Sequence, residues 1–223
     1  MDVVVVSIGT LSKNPFWQER TAVRTSHATT TLIRVDDALI LVDPSLPAQA
    51  MEQHLFERTG LKPQAITHVF LTNWRPVHRR ALAAFTNADW LMHEPEIHAA
   101  REVLAVANRM AEGSQDDITL QSEVRLLERM QFAPDKLAPG VDLFPLPGYT
   151  PGQCGLLLSL PTSTTLIAGD AVATAEHFAA GRVLPECFDV KTAQDSLSEV
   201  YEIADQVVPG HDNIFNNPRA AGI

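Results

Sequence analysis

Three polar side chains follow three apolar, strand-like runs: His78, Asp170 and His211. The runs cover residues 66–71, 164–168 and 206–208. In layered α/β proteins the loops at one end of a sheet converge, so groups distant in sequence meet there. Two imidazoles and one carboxylate form a ligand set for Zn(II), Fe(II) or Mn(II). Imidazole is a neutral, borderline-soft donor, and the carboxylate balances charge. Three protein ligands with a water in an open position can hydrolyse an ester, thioester, amide or lactone, because the ion acidifies the water and polarises the carbonyl. A single histidine after a strand is more often a hydrogen-bonded loop residue, so the weight rests on the three together.

The elements that must carry these groups can be read along the chain. Val3-Val4-Val5-Val6 opens a β-branched run to residue 8 that reads as a first strand. Residues 29–35 and 38–42 read as two strands around the Asp36-Asp37 turn. Pro47 opens a helix to about residue 58, and Gly60 stops it. After strand 66–71 a loop leads into an expected helix over 78–85, then a short strand over 89–92. Residues 94–110 are helical, with Ile97, Ala100, Leu104 and Ala107 on one stripe. Residues 113–117 read as a loop, and 120–132 as a further helix. The second half has a strand over 141–146, a tight loop over 147–152 and a hairpin of 155–160 with 164–168. A helix over 189–204 follows, with Thr192 as its expected N-cap and Asp195 three residues on. Strand 206–208 ends the pattern.

The chain has 223 residues, 45% of them hydrophobic and 20% charged, which suits one globular domain with a sizeable core. With a net charge of -10 and no Lys/Arg run, neither a nucleic-acid nor an anionic-membrane partner is expected. No run approaches the ~18 apolar residues that span a membrane, and the short N-terminal run lacks the basic start of a signal peptide. Two cysteines, Cys154 and Cys187, cannot make a disulfide framework and suit a reducing cytoplasm. The expected unit is a single domain over 1–223, with a helical insertion at about 94–132 as lid or contact surface. A homodimer is the default assembly.

Several stretches carry a resemblance in order: Leu39-Ile40-Leu41-Val42-Asp43, residues 66–72, Pro147-Gly148 with Thr150-Pro151-Gly152, Ala168-Gly169-Asp170, and Val208-Pro209-Gly210-His211. Each is short. In this order, and from strand 29–35 to His211, they are similar to the metallo-β-lactamase superfamily, with loop wording most like its glyoxalase II and lactonase branches. The resemblance implies a four-layer αβ/βα sandwich, two mixed β-sheets flanked by helices, with the site at one edge. It also exposes a damaged motif, Leu71-Thr72-Asn73-Trp74-Arg75-Pro76-Val77-His78. With histidines at 73 and 75 and an aspartate at 77, the loop would read as the family's metal-binding signature.

Members of the family hold two ions that share a bridging aspartate. The resemblance places Asp170 on the bridge, and His78 and His211 on ligands of one ion. That ion's other ligand position holds Val77, and the second ion's histidine positions hold Asn73, Arg75 and Tyr149. Asn73 and Tyr149 are poor ligands for such cations, and guanidinium has no lone pair to give. A two-metal site is therefore not expected. Two states remain. In one, His78, Asp170 and His211 hold a single ion, with Arg75 and Tyr149 as catalytic helpers beside Asp170. In the other, no metal binds: Arg75 pairs with Asp170, His78 and His211 become hydrogen-bonded core residues, and the protein binds a small anionic ligand or a partner. A cation-like side chain at a ligand position and an apolar one at another make the metal-free state the expected one.

Other residues receive blander expectations. His27 reads as a solvated loop residue, and His177 and Arg182 as surface residues of the loop after Asp170. His93 reads as a local cap, and His54, His68 and His98 as structural. Asp43 is expected to orient the site from behind its ligands, as the resemblance suggests. Asp212 would do the same or be exposed.

Overall fold

The computed structural model describes residues 1–111 and 117–220. Two six-stranded mixed sheets face each other, in the orders β1-β2-β3-β4-β5-β6 and β12-β11-β10-β9-β8-β7. The first contains β1 (Asp2–Ser7), β2 (Thr30–Val35), β3 (Ala38–Val42), β4 (His68–Leu71), β5 (Asp89–Met92) and β6 (Gln131–Phe132). The second contains β7 (Lys136–Ala138), β8 (Val141–Pro145), β9 (Cys154–Ser159), β10 (Thr164–Gly169), β11 (Gln206–Pro209) and β12 (Phe215–Asn216). In the first sheet β3, β4, β5 and β6 run parallel; in the second only β10 and β11 do. The parallel strands end where the candidate ligands begin, at Asp43, Thr72, Asp170 and Gly210.

Strand alternation builds three hydrophobic layers. Leu32, Leu41, Val69 and Leu71 point to the helices α1 (Ala48–Thr59) and α2 (Glu94–Ala111). Their strand neighbours Ile33, Ile40, Val42 and Phe70 point inward to meet Leu156, Leu158, Ile167 and Val208 of the second sheet. On the far side Leu166, Ala168 and Val207 pack under Phe178 of α4 (Ala175–Ala180) and Leu197 and Val200 of α5 (Val190–Ile203). Strands covered on both faces need apolar residues at every position, which is why they read as continuous runs. No helix among the described residues is long and apolar enough to cross a membrane.

The structure departs from the sequence reading at the active end. The expected helix over 78–85 is two 3-10 turns, Pro76–His78 and Leu82–Ala84. The Ala81 amide donates to the Pro44 carbonyl at 2.9 Å, so an uninterrupted α-helical ladder cannot form there. The second helix of the hairpin is α3 (Asp117–Glu128); Gln131–Phe132 instead adds a strand beside β5. The N-cap of α5 is Asp189, whose carboxylate accepts from the Thr192 amide at 2.7 Å. Thr192 is the capped residue, three positions inside. The expected loop over 113–117 lies almost wholly outside the described residues.

Candidate metal centre

Asp170 follows β10 and is 2% exposed, at the meeting point of the two sheets. The 3-10 turn Pro76–His78 brings His78 to it, and the loop after β11 brings His211. One ligand-capable atom from each of His78, Asp170 and His211 lies within 4.8 Å of the others, and all three residues are buried. Two imidazoles and a carboxylate so placed fit one divalent cation.

Each ligand is held from behind. His78 Nδ1 contacts Asp43 Oδ2 at 2.9 Å, and His78 Nε2 contacts Asp170 Oδ2 at 2.7 Å. Asp43 in turn accepts from the Thr72 amide at 2.9 Å and the Thr72 hydroxyl at 2.7 Å. Asp43 has φ 50, a left-handed conformation that a β-carbon disfavours. His211 donates from Nδ1 to the His27 carbonyl, 2.9 Å away. That bond leaves Nε2 with its lone pair toward Asp170 when the ring is neutral. Gly210 permits the approach, because a β-carbon there would lie 2.6 Å from Asp170 Oδ1.

The electrostatics of this pair of carboxylates are unusual. Burial alone would lower the His78 pKa, but Asp170 and Asp43 outweigh it and raise it to about 10. Burial likewise disfavours the Asp170 anion, yet His78 and His211 hold its carboxyl well below the usual range. Its two oxygens differ. Oδ2 accepts from His78 and from Asn73 Nδ2 at 3.1 Å. Oδ1 has His211 Nε2 at 3.0 Å, a contact bent away from the line of a directed hydrogen bond.

The other positions that the resemblance assigns to ligands behave differently. Asn73 is fully buried, and its amide also donates to Gln153 Oε1 at 2.9 Å. Gln153 continues to the Ala168 carbonyl at 3.0 Å. Val77 offers only its backbone carbonyl, to the Ala28 amide at 3.3 Å. Arg75 corrects the sequence expectation: it is exposed and does not pair with Asp170 among the described ion pairs. Its guanidinium lies 5.1 Å above the Tyr149 ring instead. The backbone explains this, because the Arg75 amide donates to Asn73 Oδ1 at 2.9 Å and the following Pro76 starts the turn, so the side chain leaves the cluster. Burial, and then the Asp170 charge, push the Tyr149 phenol above its ordinary range, while Arg75 opposes them.

His177 is another correction. It is 3% exposed, bonded to the Thr174 hydroxyl at 2.9 Å and edge-on to Phe16, rather than a surface residue. Its α4 position after Asp170 turns it inward. Asp43 stands behind the candidate ligand His78. His27 is half-buried, and its contribution is the carbonyl that orients His211.

Three contributors escaped the sequence reading. Gln153 is one. Glu96 is the second: buried on α2, it accepts from the Trp74 amide at 2.9 Å and the Gly152 amide at 3.0 Å, bolting together the two loops that carry Asn73 and Tyr149. A β-carbon on Gly152 would meet the Glu96 backbone at 2.0 Å. The third is Arg79, stacked 3.9 Å from Trp74 and paired with Glu123 of α3. The signal for Glu96 was present, since an acidic residue beside Ile97 abuts the apolar stripe of α2. A cleft of about 200 Å³ reaches His211, lined by Ile8, Leu11, Trp17, Arg24 and Asp212. A broader open cleft between α3 and Trp90 touches none of the cluster.

Comparison with known proteins bears on the fold that carries this cluster. An N-acyl homoserine lactonase of Bacillus cereus is 24% identical over 210 residues, covering 81% of this chain and 79% of the relative. Among solved structures, AidC, a dizinc quorum-quenching lactonase bound to N-hexanoyl-L-homoserine product, superposes with a TM-score of 0.66 at 16% identity, covering 82% of this chain and 72% of that one. A Thermotoga maritima protein assigned to the metallo-β-lactamases gives a TM-score of 0.68 at 18% identity over 96% and 98% of the two chains. At such identities these structures speak for the fold. The sequence pattern of the metallo-beta-lactamase superfamily matches residues 23–211, and the chain belongs to that superfamily.

Proposed function

We propose that the protein is a hydrolase of small esters or lactones that uses one divalent ion held by His78, Asp170 and His211, the two-ion site of its relatives being lost. One observation carries the reading. Buried ligand-capable atoms of His78, Asp170 and His211 lie within 4.8 Å of one another, and His211 Nε2 faces Asp170 Oδ1 at 3.0 Å. With the His211 ring neutral, its lone pair beside that carboxylate oxygen calls for a cation. The expected neutraliser, Arg75, points elsewhere. Asn73, Arg75 and Tyr149 do not fit a second ion: an amide tied to Gln153, a guanidinium and a protonated phenol offer no suitable donor.

A divalent ion at this site supplies an acidified water and an electrophile for the carbonyl. The protein's own groups do the rest. Asp43 and Thr72 fix the His78 ring, and the His27 carbonyl fixes the His211 tautomer. Tyr149 stays protonated across the working pH range and can donate to a substrate oxygen. Arg75 offers an exposed positive charge to an anionic group. The cleft beside His211 has room for a small acyl or alkyl part. The lactonases among the relatives favour a cyclic ester over a peptide or a phosphoester.

A second reading rests on His78. Held between Asp43 and Asp170 and protonated to about pH 10, it can bond both carboxylates and offset one of their two charges without a metal. The protein would then bind a small anion at Arg75 without turnover. Elemental analysis of protein purified without chelator, alone and after addition of Zn, Fe or Mn, separates the two. Near one equivalent that vanishes in His78→Ala and His211→Ala, with lactone or ester hydrolysis followed by pH-stat, supports the hydrolase. No retained metal and no turnover would reject it in favour of the anion-binding reading.

A further inference from the structure

Helix α2 carries two apolar faces. Ile97, Ala100 and Leu104 pack on the first sheet. A second stripe, Ala99, Val103, Val106 and Met110, runs along the outside. Val103, Val106 and Met110 are 67%, 43% and 83% exposed. Single exposed apolar residues are ordinary, but a row at spacings of four, three and four is the heptad seam by which one helix packs along another.

We infer that this stripe is an interface between two copies of the chain, with the two α2 helices antiparallel about a two-fold axis. The charges beside the stripe choose the occupant. Glu102 and Arg109 lie seven residues apart and flank it on the same side. In an antiparallel pair Val103 of one copy meets Val106 of the other, and Ala99 meets Met110, small against large. That register sets Glu102 of each copy opposite Arg109 of the other, so the charge pair forms twice by symmetry. A parallel pair would instead place Glu102 opposite Ala107 and leave it without a partner. The stripe is therefore complementary to itself in one orientation.

Sedimentation equilibrium on the full chain tests this, with melting by circular dichroism as the folding control. The wild type is expected to be a concentration-dependent dimer, and Val106→Glu a monomer with unchanged melting. Glu102→Arg should weaken self-association by roughly tenfold, the sum of two surface ion pairs turned into repulsions. Adding Arg109→Glu to Glu102→Arg should restore it. The two charge variants stay on the surface and keep the test valid if Val106→Glu misfolds. A monomeric wild type overturns the inference and leaves the stripe to a different partner. A dimer indifferent to these variants, or a double swap that fails to restore it, overturns it as well.

Discussion

The two sides of Asp170 have parted ways. On one side His78 and His211 keep both their positions and the groups behind them: Asp43, Thr72 and the His27 carbonyl. On the other side Asn73, Gln153, Arg75 and Tyr149 satisfy one another through amide bonds and a cation–π stack. The first side gathers a grouping that fits a cation. The second ties Asn73 to Gln153 and sets Arg75 over Tyr149, while the buried Trp74 indole N–H and Thr150 hydroxyl have no hydrogen-bond partner among the described residues. A ligand position is thus more than one side chain: where the supporting groups persist, the ligand geometry persists, and where they are replaced, the polar atoms find each other.

The largest effect should come from the residue both sides share. Asp170→Ala removes the acceptor of His78 Nε2 and Asn73 Nδ2 and leaves a buried charged imidazole facing a void. Breaking a buried ion pair from one partner costs about 3–5 kcal/mol. Chemical denaturation of the metal-free protein should show a loss of that size, and the variant should no longer bind metal. Unchanged stability would show that His78 is neutral and that the charged network has been overstated.

Glu96→Ala tests the altered side alone. It strips the Trp74 and Gly152 amides of their shared acceptor while leaving His78, Asp170 and His211 untouched. Two buried donors left unsatisfied should cost about 2–4 kcal/mol. Denaturation should report that loss while metal content holds. A matching loss of metal would mean that the two sides are mechanically one, contrary to the comparison.

How much of this was legible beforehand follows the same division. Most strands, and the placement of His78, Asp170 and His211 after three of them, were readable because strands covered on both faces demand apolar runs; the pairing order within each sheet was not. The region 73–85 was not. A helical pattern over 78–85 yields to a tertiary constraint, the Ala81 bond to the Pro44 carbonyl, that no local spacing encodes. The expectation that Arg75 would replace the cation failed for a similar reason: charge logic names a partner, but the Arg75 amide bond to Asn73 and the turn begun by Pro76 decide where the side chain goes. Glu96 and Gln153 reach the site from distant elements, and only the fold brings them there.

Asp43→Asn probes the retained side more gently. The amide keeps the shape, but it cannot accept from both Thr72 and His78 Nδ1 with the strength of a carboxylate. Loss of a carboxylate behind a histidine ligand typically weakens metal binding by about 10–100-fold. Competition against a chromogenic chelator should show a shift in that range with the fold intact. If metal affinity holds, His78 is oriented by Asp170 alone and the support from behind is redundant.

The smallest effect belongs to Arg75→Ala. The side chain is exposed and contacts the Tyr149 ring at 5.1 Å, an arrangement worth about 0.5–1 kcal/mol at a solvated site. Melting should therefore shift little. The informative readout is kinetic. If Arg75 holds an anionic group of the substrate, the variant should raise KM several-fold for a carboxylate-bearing ester and leave a neutral lactone unaffected, with kcat unchanged for both. Equal effects on both substrates would mean that Arg75 only braces Tyr149. Arg75→Lys decides between these roles, because it keeps the charge while weakening the planar stack, so it should rescue KM only if the charge matters.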